Sequence, residues 1–134
     1  TAALVVPKIV VWMVSGTPAF EVEVRSNRAP FPSDAVVEVD PATNLEVWRY
    51  EGSPRRSFVS WFISGCQRQP NGNTLICEGM WGRLFEVTPD GEIVWEYVSP
   101  YVVDYEHPVF KGMNAIFRCY RYAADSPQIA GRLP

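Results

Sequence analysis

Histidine is almost missing from this chain: His107 is the only one among 134 residues. The three cysteines, Cys66, Cys77 and Cys119, show no C-x-x-C spacing, so a structural zinc site has almost no ligands to draw on. Lysine is also scarce, at Lys8 and Lys111, and the 12 basic residues are mostly arginine. They are interspersed with 15 acidic residues, for a formal charge of −3, and leave no basic stripe for nucleic acid and no polybasic membrane anchor. The longest apolar run, TAALVVPKIVVWMVSG, is broken by Pro7 and Lys8, short of the roughly 20 residues that span a membrane. No membrane insertion is expected. The run lacks the basic leader of an intact signal peptide, and the chain opens without methionine, so Thr1 is expected to be a processed or trimmed end. A G-x-S-x-G elbow, a glycine-rich phosphate loop and a helix-period segment of useful length are all lacking. No cofactor is expected.

What is present is apolar and periodic. A composition 47% hydrophobic and 13% aromatic suffices for the core of one domain of this length. Ala35 to Tyr50, AVVEVDPATNLEVWRY, matches Arg83 to Tyr97, RLFEVTPDGEIVWEY, with Trp48 answering Trp95 and Tyr50 answering Tyr97 at a separation of 47 residues. Each half alternates as a half-buried strand does: Phe85 and Val87 share one face and Leu84, Glu86 and Thr88 the other. The repeat continues into SGCQR, Ser64 to Arg68, and NAIFR, Asn114 to Arg118, which pairs Ser64 with Asn114 and Arg68 with Arg118. A four-strand unit recurring every 40–50 residues is the sign of a β-propeller blade, because one small twisted sheet cannot bury both faces without neighbours. The expected fold is all-β, with antiparallel four-stranded sheets of blade type in an incomplete propeller of two to three blades. Along 1–134 this divides into an irregular strand and loop region (1–34), a partial blade (35–61), a complete blade (62–97), and a partial blade with a C-terminal tail (98–134). Full propellers need at least four blades, so other protein chains are the expected partners.

Two turns share one chemistry, Gln69-Pro70-Asn71-Gly72-Asn73 and Thr88-Pro89-Asp90-Gly91-Glu92. Proline presets φ at the first position and glycine takes the positive φ that closes a type I turn with a bulge. In that three-residue register Cys66 faces Ile76 while Cys77 points to the opposite face. A two-residue Asn71-Gly72 loop would set Cys66 against Cys77, but Pro70 lacks the N–H to close it, so a disulfide between them is disfavoured and buried free thiols are expected. His107 sits in DYEHPVF beside Asp104 and Glu106, in a loop marked by Pro108, and a catalytic or metal role there would need partners from elsewhere. Trp12, Trp61 and Trp81 are expected to pack in the core or between blades.

Taken in order, QRQPNGNTLICEGMWGRLFEVTPDGEIVWEYVSP and NAIFRCYRYAADSP resemble the C-terminal blades of the bacterial arylsulfotransferase-like β-propeller proteins, over about Ala35 to Pro127. The resemblance implies blades around a central channel, a periplasmic or extracellular location, and sulfuryl transfer between phenols through a histidine nucleophile with cationic neighbours. Histidines of that family precede a motif like QRQPNGN, and the matching places here hold Ser64 and Asn114, neither of which can form a sulfohistidine. What carries over is a channel-facing anion site of Ser64, Arg68, Asn114 and Arg118. The alternative for the two arginines is plain cover of the sheet surface. Two functions are therefore expected: a non-catalytic structural or interaction subunit of a larger assembly, or the C-terminal part of a sulfotransferase whose catalytic histidines lie outside this chain.

Overall fold

The computed structural model describes residues 35–40, 43–54, 57–60, 63–104, 106, 108 and 111–132. The region 1–34, Trp12, Trp61 and His107 lie outside the described residues. All regular structure among the described residues is β apart from a single 3-10 turn at Gly79–Trp81. A hairpin joins β1 (Ala35–Asp40) to β2 (Leu45–Glu51), and a four-stranded antiparallel meander runs β3 (Gly65–Arg68), β4 (Thr74–Glu78), β5 (Arg83–Val87) and β6 (Ile93–Val98) in sheet order.

The turn chemistry sets the registers. Gln69 N–H bonds Asn73 O at 2.8 Å and Gly72 N–H bonds Gln69 O at 3.0 Å, with Gly72 at φ 89°. Thr88 to Glu92 repeats this at 2.9 and 3.0 Å, with Gly91 at φ 86°. The three-residue register follows, with Cys66 opposite Ile76 and Gly65 opposite Cys77. Asn44, at φ 56°, takes the corresponding left-handed position in the first hairpin. Both hairpins also carry a bulge that strict alternation does not anticipate: the register shifts between Glu38 and Val39 and again between Glu86 and Val87. The extra residues on the partner strands are Val47 and Val94, which stand at equivalent places of the repeat. Past each bulge the tryptophan and tyrosine share one face, Trp48 and Tyr50 toward the core and Trp95 and Tyr97 on the same side as Glu86.

Directly paired residues share a face, so the meander has two distinct sides. One carries Cys66, Arg68, Thr74, Ile76, Phe85 and Val87, and the other Gln67, Leu75, Cys77, Glu86, Trp95 and Tyr97. The hairpin stacks on the first side, where Val36, Tyr50, Phe58, Ile76, Phe85 and Val87 form one buried cluster with Trp48 and Cys66 against it. Tyr50, Phe58 and Phe85 make a three-ring contact with centroids 5.7–5.8 Å apart. A stretch without strand structure, about 113–122, lies on the second side, held by Ile116 N–H to Gly79 O at 2.8 Å and Arg121 N–H to Gln67 Oε1 at 2.8 Å. The described residues thus form two antiparallel sheets, one stacked on the other, with an extended segment on the free face.

Candidate interaction surface

Arg68 leaves β3 toward the hairpin, where its guanidinium lies 4.5 Å over the Trp48 ring and bonds the Glu38 carboxylate. Trp48 is pinned from its other end, its Nε1–H donating to Pro89 O at 2.8 Å. The second side of the meander repeats the arrangement. Arg121 lies 4.5 Å over Trp95 and bonds the Glu86 carboxylate. Glu38 and Glu86, and Trp48 and Trp95, are the matching residues of the sequence repeat, so Arg121 is the structural counterpart of Arg68. Such a stacked and paired arginine contributes about 0.5–1 kcal/mol from the ring contact alone. Its larger effect is to fix the distance and angle between one sheet and the next.

This changes the expected equivalence, which set Arg118 against Arg68. The matching stretches are Cys66-Gln67-Arg68 and Cys119-Tyr120-Arg121, a C-x-R pattern 53 residues apart that is visible in the sequence but is displaced by three residues from NAIFR. The longer connection before the second copy hides it. Arg118 instead lies beside Gly65, donates to Tyr120 Oη at 3.0 Å, and stacks on that ring. Arg68 and Arg118 therefore lie on opposite sides of one sheet, and the four expected residues are not gathered into a single site. Ser64, half-buried, precedes β3. Asn114 sits where β5 begins and β6 ends, its Nδ2 donating to Ser99 O at 3.0 Å. Trp81 is half exposed on its 3-10 turn rather than packed in the core.

Glu86 is the polar centre of the second side. It is buried, 4% exposed, and its carboxylate receives Asn73 Nδ2 at 2.7 Å, Asn71 Nδ2 at 3.4 Å and Arg121. Burial alone would push its proton affinity up, but the two asparagine hydrogen bonds and the arginine outweigh burial and hold the carboxyl below its ordinary value of 4.5. The unfolded chain therefore binds this proton more tightly. The stability that Glu86 contributes is complete above its unfolded value and is lost as pH falls through the lower folded value. Urea unfolding across pH should show this acid loss in the native protein and a flatter profile in Glu86→Gln. At neutral pH the same variant should cost about 1–3 kcal/mol, since three donors lose a charged acceptor. An unchanged acid profile would show that Glu86 does not carry the effect.

Between hairpin and meander, Val36, Glu38, Trp48, Cys66, Arg68 and Thr74 line a partly open recess of about 10 Å³. That is room for one water, which would satisfy the buried Thr74 Oγ1, and it is far below the few hundred Å³ of an organic-ligand pocket. Burial also pushes the Cys66 thiol there up to about 12, the nearby Arg68 opposing only in part, so Cys66 is inert. Among the described residues no group of three or more His, Cys, Asp or Glu could hold a metal ion, and no helix is long and apolar enough to cross a membrane.

Exposure separates the two copies of the repeat. Tyr50 is 6% exposed beneath the meander, whereas its counterpart Tyr97 is 40% exposed, and every residue of β6 is open to solvent. Ile93, Val94, Trp95 and Val98 on that strand, and Phe117, Tyr120 and Tyr122 in the C-terminal segment, are exposed apolar and aromatic side chains. The class this defines is an all-β protein of stacked antiparallel sheets in which β6 is an edge strand among the described residues. Comparison with protein-family models, with curated proteins and with solved structures finds no match.

Proposed function

We propose that this chain is a non-catalytic segment of a β-propeller-like array of the arylsulfotransferase type, acting as a structural interaction unit. The observation that carries the reading is the repeated Glu–Arg–Trp stack, Glu38–Arg68–Trp48 and Glu86–Arg121–Trp95, of which only the first is followed by a complete covering sheet among the described residues. A repeated stacking geometry with one copy left open is what an array of blade-like sheets presents at an unfinished end. The occupant that fits is a further sheet of the same kind, supplied by another chain, seated on Tyr97 and Trp95 as the meander is seated on Tyr50 and Trp48. An open apolar edge strand would also be unusual for a sheet that works alone.

The catalytic reading is less well supported for this chain. The places that match family histidines hold Ser64 and Asn114, and the cations Arg68 and Arg121 already face carboxylates. A bound sulfate ester would have to compete with Glu38 or Glu86 for them.

Size-exclusion chromatography with light scattering tests the proposal. In a dilution series the purified chain is expected to give a mass above the 15.1 kDa of one copy at high concentration. Tyr97→Ala should weaken that association about tenfold or more, the usual effect of truncating a central interface tyrosine. A cooperatively folding monomer at every concentration would overturn the reading.

A further inference from the structure

Two cysteines on the second side of the meander meet although they lie far apart in the chain. Cys77 is on β4, 1% exposed, and its thiol donates to Ile116 O at 3.6 Å. Cys119 is three residues beyond Ile116, half-buried, and its thiol is a near neighbour of that of Cys77. The contact is held from both sides. Ile116 N–H bonds Gly79 O at 2.8 Å, while the backbone of Arg121 exchanges bonds with the Gln67 side chain at 2.8 and 3.0 Å. Cys119 is therefore clamped over β4, on a segment that owes its place to a few such contacts and not to a strand ladder.

We propose that Cys77 and Cys119 form a reversible dithiol–disulfide pair, a redox latch that fastens the C-terminal segment across the second side of the meander. The two thiols differ in the way such a pair requires. The neighbouring Cys77 thiol, with help from Arg121, holds Cys119 below the ordinary thiol range against burial, and Cys119 is the more exposed of the two, so Cys119 is the attacking group. Cys77 is pushed up by that same contact and by burial, and keeps its proton. With a small organic disulfide as oxidant, the Cys119 thiolate attacks one sulfur and expels a thiolate, leaving a mixed disulfide. Cys77 then gives its proton to a departing thiolate and attacks the Cys119 sulfur, displacing the second small thiol. Overall two protein thiols and one disulfide become one protein disulfide and two small thiols. The bond requires the two Cβ atoms to come within about 3.5–4.5 Å, and the segment that carries Cys119 has no strand ladder to break in reaching it. Cys66, on the opposite side of the sheet, takes no part.

The test treats the folded chain with oxidised glutathione, alkylates the remaining thiols and maps peptides without reduction. One intrachain link between Cys77 and Cys119 is expected, with Cys66 left as a thiol. Thermal unfolding should shift up by about 5–10 °C, because the bond closes a long loop of the unfolded chain, and should return on adding dithiothreitol. Cys77→Ala should instead trap glutathione on Cys119, and Cys119→Ser should abolish both the link and the shift. A stable glutathione adduct on Cys119 of the unaltered protein, a link between chains, or three unmodified thiols would each overturn the proposal.

Discussion

Replacing Phe85 with alanine is expected to remove about 3–5 kcal/mol of stability, the range for a large aromatic lost from a sealed core. Phe85 is 0% exposed and sits where the two sheets meet, 5.7 Å from both Tyr50 and Phe58 and beneath the Arg83 guanidinium at 4.3 Å. Arg83 is itself fixed by Glu78, Glu96 and Ser57 O, so it cannot slide in to fill the space. Neither sheet can close the gap without parting Trp48 from Pro89 and Arg68 from Glu38. Since a domain of this size is stable by roughly 5–15 kcal/mol, the variant should lie near the edge of folding. Near-ultraviolet circular dichroism during urea unfolding measures it, because the three rings dominate the cluster. Phe117→Ala, at a residue 74% exposed, should change stability by no more than about 0.5 kcal/mol and serves as the contrast. Equal effects for the two variants would show that the sheets are not held together through this cluster.

Gly79→Ala should be nearly as damaging, for a different reason. A Cβ at Gly79 would overlap two backbone carbonyl oxygens, those of Ile63 and Ile116, which approach from either side. Neither oxygen belongs to a flexible side chain, so relief requires the backbone to move, and the Ile116 N–H to Gly79 O bond must lengthen. Overpacking of this kind costs about 1–3 kcal/mol and more where backbone is the obstacle. The C-terminal segment should come away from the second side of the meander before the sheets separate. Limited trypsin digestion reads this directly, through faster cleavage after Arg118 and Arg121. Gly65→Ala provides the control: its Cβ would meet only the Arg118 side chain, at 3.7 Å, so cleavage should stay as in the native chain. If Gly79→Ala leaves the digestion rate unchanged, Ile116 and Gly79 do not anchor the segment.

Both variants act at close approaches that no local pattern announces. Gly79 follows β4 and reads in sequence as an ordinary strand end, yet it is the point where the chain before β3 and the chain after β6 pass within contact. The same is true of the arginines. In sequence, SGCQR matches NAIFR and sets Arg118 against Arg68, because Ser64 and Asn114 fix that match and the side-chain partners of the arginines are far away in the chain. Once Trp95 and Glu86 are seen in space, Arg121 is the residue that reproduces Arg68. A bulge in each hairpin was equally hidden, since Val47 and Val94 continue an apolar alternation that the paired strand does not follow.

The local features were fully legible. Pro70-Asn71-Gly72 and Pro89-Asp90-Gly91 determine their turns through φ preferences of single residues, and the turns determine which side of the sheet Cys66 and Cys77 occupy. Strand alternation then assigns Phe85 and Val87 to one side and Leu84 and Glu86 to the other, and the 47-residue repeat marks the two hairpins as the same structure used twice. These are properties of neighbours along the chain, so sequence alone decides them. Contacts across 35 residues or more, such as Arg121 with Glu86 or Cys77 with Ile116, depend on how the closing segment crosses the sheet. Its path is set by three-dimensional fit at Gly79 and Gln67, and only the tertiary structure decides that Cys119 comes to rest against Cys77.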